Sequence, residues 1–177
     1  MVIMGVDPGS RVTGYGIVSV EGNHFRCLDY GAISVVVNGA APMIPERLKT
    51  IHSALTELMA KFEPEIVVVE GLFYAVNVKS ALTLGHARGV ILLAAAEQGL
   101  PVAEYSPLEV KKAVTGYGRA DKQQVQTMVK TLLNLKSEPE PHDASDALAL
   151  ALCQAFNGKG LKHRQGRWRS YTPKGNR

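Results

Sequence analysis

Cysteine is scarce in this chain: Cys27 and Cys153 are the only two among 177 residues. Two thiols so far apart build no disulfide framework and lack the spacing of a structural zinc site. They read as buried thiols of a protein kept in a reducing cytoplasm, where disulfides are rare. Long apolar runs are missing as well. The stretch 90–96 is bounded by Gly89 and Glu97, far short of the roughly 20 residues that cross a bilayer. Residues 2–6 already look like a buried strand, so no signal peptide is expected. Acidic residues are absent from one segment altogether. Residues 157–177 carry +7 from Lys159, Lys162, Arg164, Arg167, Arg169, Lys174 and Arg177, which leaves −3 on residues 1–156. Four glycines and Pro173 are scattered through that segment, with Trp168 and Tyr171 among the bases. It reads as a flexible basic tail, a sequence-independent anchor for phosphates. The bland account is a disordered solubilising tail.

What remains is ordinary in amount, at 46% hydrophobic and 20% charged residues, and long enough for one domain with its own core. Residues 2–6, 13–20 and 24–37 have strand patterns separated by turn signals, which predicts an opening antiparallel meander. A loop over 38–45 precedes a helix over 46–62, whose Leu48, Ile51, Leu55, Leu58 and Met59 form one stripe. Residues 66–69 are a further strand ending on Glu70. A long helix over 78–98, apolar on more than one face, is expected to be extensively buried. A short strand over 101–105 follows, then helices over 107–114, 122–133 and 142–156, with Asp121 placed to cap the second. This order predicts an α/β fold, a five-stranded mixed sheet with helices on both faces, over residues 1–156.

Four carboxylates stand where buried elements meet solvent: Asp7, Glu70, Asp143 and Asp146. In such a sheet the first strand is central and the strand ending on Glu70 can lie parallel beside it. Asp7 and Glu70 then share the carboxyl edge, where α/β folds usually bind ligands. Asp143 and Asp146, three apart on one helix, share a face in its first turns, where the helix N-terminus offsets their charge. Unpaired carboxylates raise one another's pKa and cost stability unless a cation joins them. Hard oxygen donors without a thiol suit Mg²⁺, or Mn²⁺ in its place. Two such ions about 3.5–4 Å apart serve in-line phosphodiester displacement. Singly, Asp7 could be a turn former before Pro8-Gly9 and either helix aspartate a cap.

Together with their surroundings these acids resemble a known family. Asp7-Pro-Gly-Ser-Arg-Val-Thr-Gly-Tyr-Gly16, Val69-Glu-Gly-Leu-Phe73, Asn77 and Ser80-Ala-Leu-x-Leu-Gly-x-Ala-Arg-Gly89 are similar to RuvC sequences. So are Val110-Lys111, Lys122-x-x-Val-Gln126 and Asp143-Ala-Ser-Asp-Ala-Leu-Ala149. RuvC is the bacterial Holliday junction resolvase family of the ribonuclease H-like superfamily. The resemblance implies a homodimeric, Mg²⁺-dependent endonuclease that nicks two opposing strands of a four-way DNA junction. It also implies action beside a junction-binding protein and a hexameric branch-migration motor in recombination and repair. By position, Asp7, Glu70, Asp143 and Asp146 match the metal-binding carboxylates, and Lys111 and Lys122 the active-site lysines. An ammonium beside the scissile phosphate would stabilise charge that builds in the transition state. Phe73 matches a junction-contacting aromatic, and Tyr74 follows it.

Some members carry His at the third acidic position. Here Asp143 takes that place, and His142 before it either supports the site from behind the acids or, as is expected, stands at the surface near the helix start. Arg11, Arg88 and Arg119 are weaker candidates for phosphate contact. Ala81, Gly85 and Gly89 would let a second helix approach closely, or would pack the long helix onto its own sheet. Two symmetric nicks ask for two active sites about a two-fold axis. Three other classes compete. A kinase-like ATPase also opens with an Asp-x-Gly turn but needs a second lobe. A nuclease of the same fold acting on RNA or single strands would share the carboxylates. A non-catalytic junction binder would be expected to have lost one of them.

Overall fold

The structure is a computed structural model and describes residues 1–9, 11–35, 42–71 and 78–158. Its strands are β1 (Val2–Asp7), β2 (Val12–Glu21), β3 (His24–Ser34), β4 (Ile66–Glu70) and β5 (Val102–Tyr105). They form one sheet in the order β3-β2-β1-β4-β5. β1, β2 and β3 run antiparallel in sequence, and β1–β4 and β4–β5 pair in parallel. The expected mixed sheet with a central first strand is therefore present. The helices are α1 (Ile44–Phe62), α2 (Val78–Glu97), α3 (Pro107–Thr115), α4 (Lys122–Leu132) and α5 (His142–Asn157).

Strand alternation sorts the core into two layers. Met4, Val6, Ile17, Val67 and Val69 face α1 and α2, where Ile51, Leu55, Ala87 and Ile91 complete a buried cluster. Ile3, Val18, Val68 and Tyr105 face the other way, against α5 and the buried sides of α3 and α4. α5 carries eleven buried residues, from Ala144 to Ala155. It is the central helix of that layer.

Two expectations change. α1 begins at Ile44, so Pro45 stands inside its first turn rather than in a loop; proline is well tolerated there because its missing N–H has no intrahelical partner. α2 is not buried on all sides. Ala87, Ile91, Ala94 and Ala95 are buried, but Leu82 is 61% and Leu93 52% exposed. Apolar residues around a helix signal burial only if something covers each face.

Candidate active site

The register carries two of the acids to one place. Gly5 pairs with Val68 and Val6 with Val69 across β1 and β4, so Asp7 and Glu70 are the next positions at the carboxyl edge. Ile3 on β1, and Ile66 and Val68 on β4, face the α5 layer. With a period of two, Asp7 and Glu70 face that layer too. The turn after Asp7 is tight: Thr13, fully buried, donates from its hydroxyl to the Gly9 carbonyl at 2.9 Å.

α5 brings the other two acids. It can do so because three strand positions have no side chain. A Cβ on Gly5 would fall on the carbonyl of Ala147, one on Gly14 on the carbonyl of Asp143, and one on Gly16 against Leu148. Gly5 and Gly16 are opposite each other, and Gly14 is opposite Asp7. The three glycines form a floor on which α5 rests in backbone contact, and this floor seats Asp143 above β2. Glycine at alternate positions of a strand, beside an alanine-rich helix, was the available signal in the sequence.

Electrostatics show that the acids share one environment. Burial, then the charges of Glu70, Asp146 and Asp143, push the Asp7 carboxyl from its ordinary 3.8 up to about 7, against a smaller opposing pull from Lys122. Glu70 is raised by burial and by Asp146, again opposed by Lys122. Lys122, first residue of α4, reaches Asp146 Oδ2 at 3.0 Å. Partial burial pulls its ammonium down, but the hydrogen bond to Asp146 and the charges of Asp146, Asp143 and Asp7 together hold it above the ordinary lysine value. The four acids are not closed into a cage. No three His, Cys, Asp or Glu side chains among the described residues form a metal-holding group. Their like charges favour separation. The donor chemistry nonetheless fits a hard divalent cation: carboxylate oxygens only, no thiol, and one acid whose ionised form is penalised.

The other expected residues are spread more widely. Lys111 lies half-buried on α3 and makes no ion pair among the described residues. Arg11, in the turn after Asp7, and Arg119, just before α4, are exposed. Arg88 differs from expectation. Its guanidinium meets Glu104 at 2.6 Å, with the side chain only 16% exposed, so it ties α2 to the edge strand β5. Arg88→Ala is expected to cost about 1 kcal/mol of stability and to leave the salt dependence of DNA binding unchanged; a shallower slope would return Arg88 to phosphate contact. Asp121 caps α4 as expected, accepting from the Gln124 N–H at 2.8 Å. His142 is exposed, and its Nδ1 meets the side-chain amide of Gln126, which is 2% exposed. Phe73, Tyr74, Lys159, Lys162, Arg164, Arg167 and Arg169 lie outside the described residues.

Comparison with known proteins adds the decisive observation. Residues 3–154 match the model of the family described as crossover junction endodeoxyribonuclease RuvC. The chain belongs to the RuvC family. A RuvC from Alkaliphilus oremlandii is 52% identical over 158 residues, which span 89% of this chain and 94% of that protein. The Thermus thermophilus RuvC in complex with a Holliday junction substrate superposes with a TM-score of 0.84 at 38% identity, covering 90% of this chain and 95% of that one. The yeast mitochondrial Holliday junction resolvase Ydc2 shares the fold, with a TM-score of 0.62 at 14% identity, over 87% and 78% of the two chains. The ribonuclease H-like expectation for the sheet and its helices is therefore met.

Proposed function

We propose that this chain is a crossover junction endodeoxyribonuclease that resolves four-way DNA junctions by metal-dependent hydrolysis. Family membership sets the substrate class. The observation that carries the chemistry is the convergence of Asp7, Glu70 and the first turn of α5 on one charged site. Asp7, Glu70, Asp143 and Asp146 would hold Mg²⁺, with Mn²⁺ able to substitute and two ions in place during the reaction. When bound, such ions lower the pKa of the attacking water and stabilise the leaving 3′ oxygen. Water oxygen bonds to phosphorus as the bond from phosphorus to the 3′ oxygen breaks. The water gives a proton to solvent and the leaving oxygen takes one from it, which yields a 5′ phosphate and a 3′ hydroxyl. Lys122 lets go of Asp146 and donates to a non-bridging oxygen of the scissile phosphate, where negative charge accumulates. Lys111 is assigned a similar supporting charge by its position in the family motif alone.

The enzyme works as a homodimer. Leu82, Gly89 and Leu93 lie along one exposed side of α2, a spacing of whole turns. A Cβ on Gly85 or Gly89 would meet nothing within 4 Å, so these glycines are not required by packing within the chain. That arrangement supports close approach of a second α2 and two sites about a two-fold axis. Phe73 and Tyr74 supply aromatic contact at the crossover, and Arg11 and Arg119 contact phosphates. Association with a junction-binding protein and a hexameric motor, and a cytoplasmic location, follow from the family resemblance. No helix of the described residues is long and apolar enough to cross a membrane.

Residues 1–156 form the nuclease domain, and 157–177 act as a basic tail that anchors DNA without reading sequence. Removing residues 158–177 is expected to weaken binding to junction and linear duplex alike and to flatten its salt dependence. An unchanged slope in a filter-binding titration would exclude the tail from DNA contact.

The function itself is tested by incubating the protein with a labelled immobile four-way junction and a matching duplex, in Mg²⁺ or EDTA, over several core sequences. Paired nicks on the junction alone, requiring Mg²⁺, are expected. Cleavage of RNA or linear duplex instead would keep the metal site but overturn the substrate.

A further inference from the structure

Two rungs join α4 to α5. Lys122 meets Asp146 at 3.0 Å, and the side-chain amide of Gln126 meets Nδ1 of His142. Lys122 and Gln126 are one turn apart on α4, as are His142 and Asp146 on α5. Side chains four apart share a helix face, so the two rungs are parallel, with the helices antiparallel. The first rung ends on an acid of the site. The second ends on the residue that opens the catalytic helix. Gln126 is almost fully buried, and a buried amide is costly unless it is hydrogen-bonded. Its neighbours Val125 and Val129 on α4 pack in the apolar core. Gln123 and Thr127 tie α4 to Glu138, ahead of α5, at 2.8 and 3.3 Å. At the active-site end of α5 itself, among the described residues, only the two rungs direct polar atoms of α4 onto it.

The two rungs have different fates when substrate enters. The ammonium that holds Asp146 is the one the scissile phosphate requires, so the first rung must open. If it were the only polar tie between the two helices, the start of α4 would be free to shift against α5 when Lys122 has to be aimed. We propose that the Gln126–His142 hydrogen bond is a positioning device for Lys122, holding α4 in register on α5 while Lys122 passes from Asp146 to the phosphate. This rests on the reading of the site as a phosphodiesterase, and it makes Gln126 and His142 positioning residues that act through Lys122. The chemistry specifies which atom matters. The Gln126 amide donates and Nδ1 accepts, which leaves the ring proton on Nε2. An acceptor in the place of Nδ1 is therefore required, and Nε2 is not. Asn places its Oδ1 near the position of Nδ1, whereas Gln reaches toward that of Nε2.

The test is single-turnover nicking of the four-way junction at saturating protein, alongside junction affinity measured in EDTA. His142→Leu and Gln126→Leu are expected to slow nicking about tenfold with affinity unchanged. His142→Asn restores most of the rate and His142→Gln does not. In a Lys122→Ala background, His142→Leu slows nicking no further, because the rung has nothing left to aim. Nitrogen-15 shifts of His142 in the native protein should be those of the Nε2–H tautomer. A native rate for His142→Leu, or an Asn variant no faster than the Leu variant, overturns the proposal. So does a full further loss in the Lys122→Ala background, which would mark a general structural role. If the Leu variants melt too early to assay, the comparison of Asn with Gln, both polar, decides alone. A native protein that nicks no junction would overturn the functional reading and this proposal with it, whereas native nicking with an indifferent His142→Leu overturns only the latter.

Discussion

Asp7→Asn is expected to bind the four-way junction with native affinity, to nick it about 10³-fold more slowly, and to be more stable than the native chain above pH 7. The loss of rate follows because Asp7 faces the α5 layer from the central strand and is coupled to the other three acids. The gain in stability follows from the same contacts. In the folded chain the Asp7 carboxyl is raised to about 7 from an ordinary 3.8. A raised acid favours the folded state only while protonated. Below about pH 4 both states hold the proton, and the substitution changes little. Between about pH 4 and 7 the unfolded chain gives up its proton first, so native stability falls as pH rises. Above 7 the full penalty is present. At about 1.4 kcal/mol per pH unit the gap corresponds to about 4 kcal/mol. Solvent access to the carboxyl reduces this, and about 2 kcal/mol is expected to return in Asp7→Asn. Urea unfolding in EDTA at pH 4 and pH 8 measures it. Destabilisation at pH 8 would show that the acid serves the fold, and equal loss of binding and nicking would say the same.

Gly14→Ala is expected to lower stability by about 2–3 kcal/mol, or the melting temperature by about 5–10 °C, and to slow nicking about 10²-fold. The added Cβ would fall on the carbonyl of Asp143 and close to its carbonyl carbon and Cβ. Backbone cannot swing aside as a long side chain can, so α5 would have to lift from β2, carrying Asp143 and Asp146 away from Asp7. Junction affinity, set mainly by phosphate contacts, should change far less than rate. Thermal melts together with single-turnover rates provide the check. Native values for both would mean that α5 does not rest on this strand position.

Much of this was written locally. The apolar run over 66–69 and the helical spacing over 46–62 placed those elements nearly where they stand, at Ile66–Glu70 and Ile44–Phe62. Asp121 announced the start of α4, because a side chain that satisfies an N–H three residues on is a local device. Each of the four acids could be located at the end of its element before any partner was known. Arg88 could not be read this way. An arginine on a helix is a phosphate ligand or an ion-pair partner depending on what stands opposite, and here Glu104 of a distant strand does. The same holds for the exposed Leu82 and Leu93, whose apolar character said nothing about whether the chain itself would cover them.

By itself, then, the sequence determined the elements, their order and the placing of four carboxylates where those elements meet solvent, since these depend on neighbours within a turn or a strand. Only the tertiary structure decided which surfaces bring the acids into one environment and what holds them there. Gly5, Gly14 and Gly16 meet α5 across the chain, and Gln126 finds His142 from another helix. Those contacts are set by the docking of faces, which backbone periodicity prepares but does not specify.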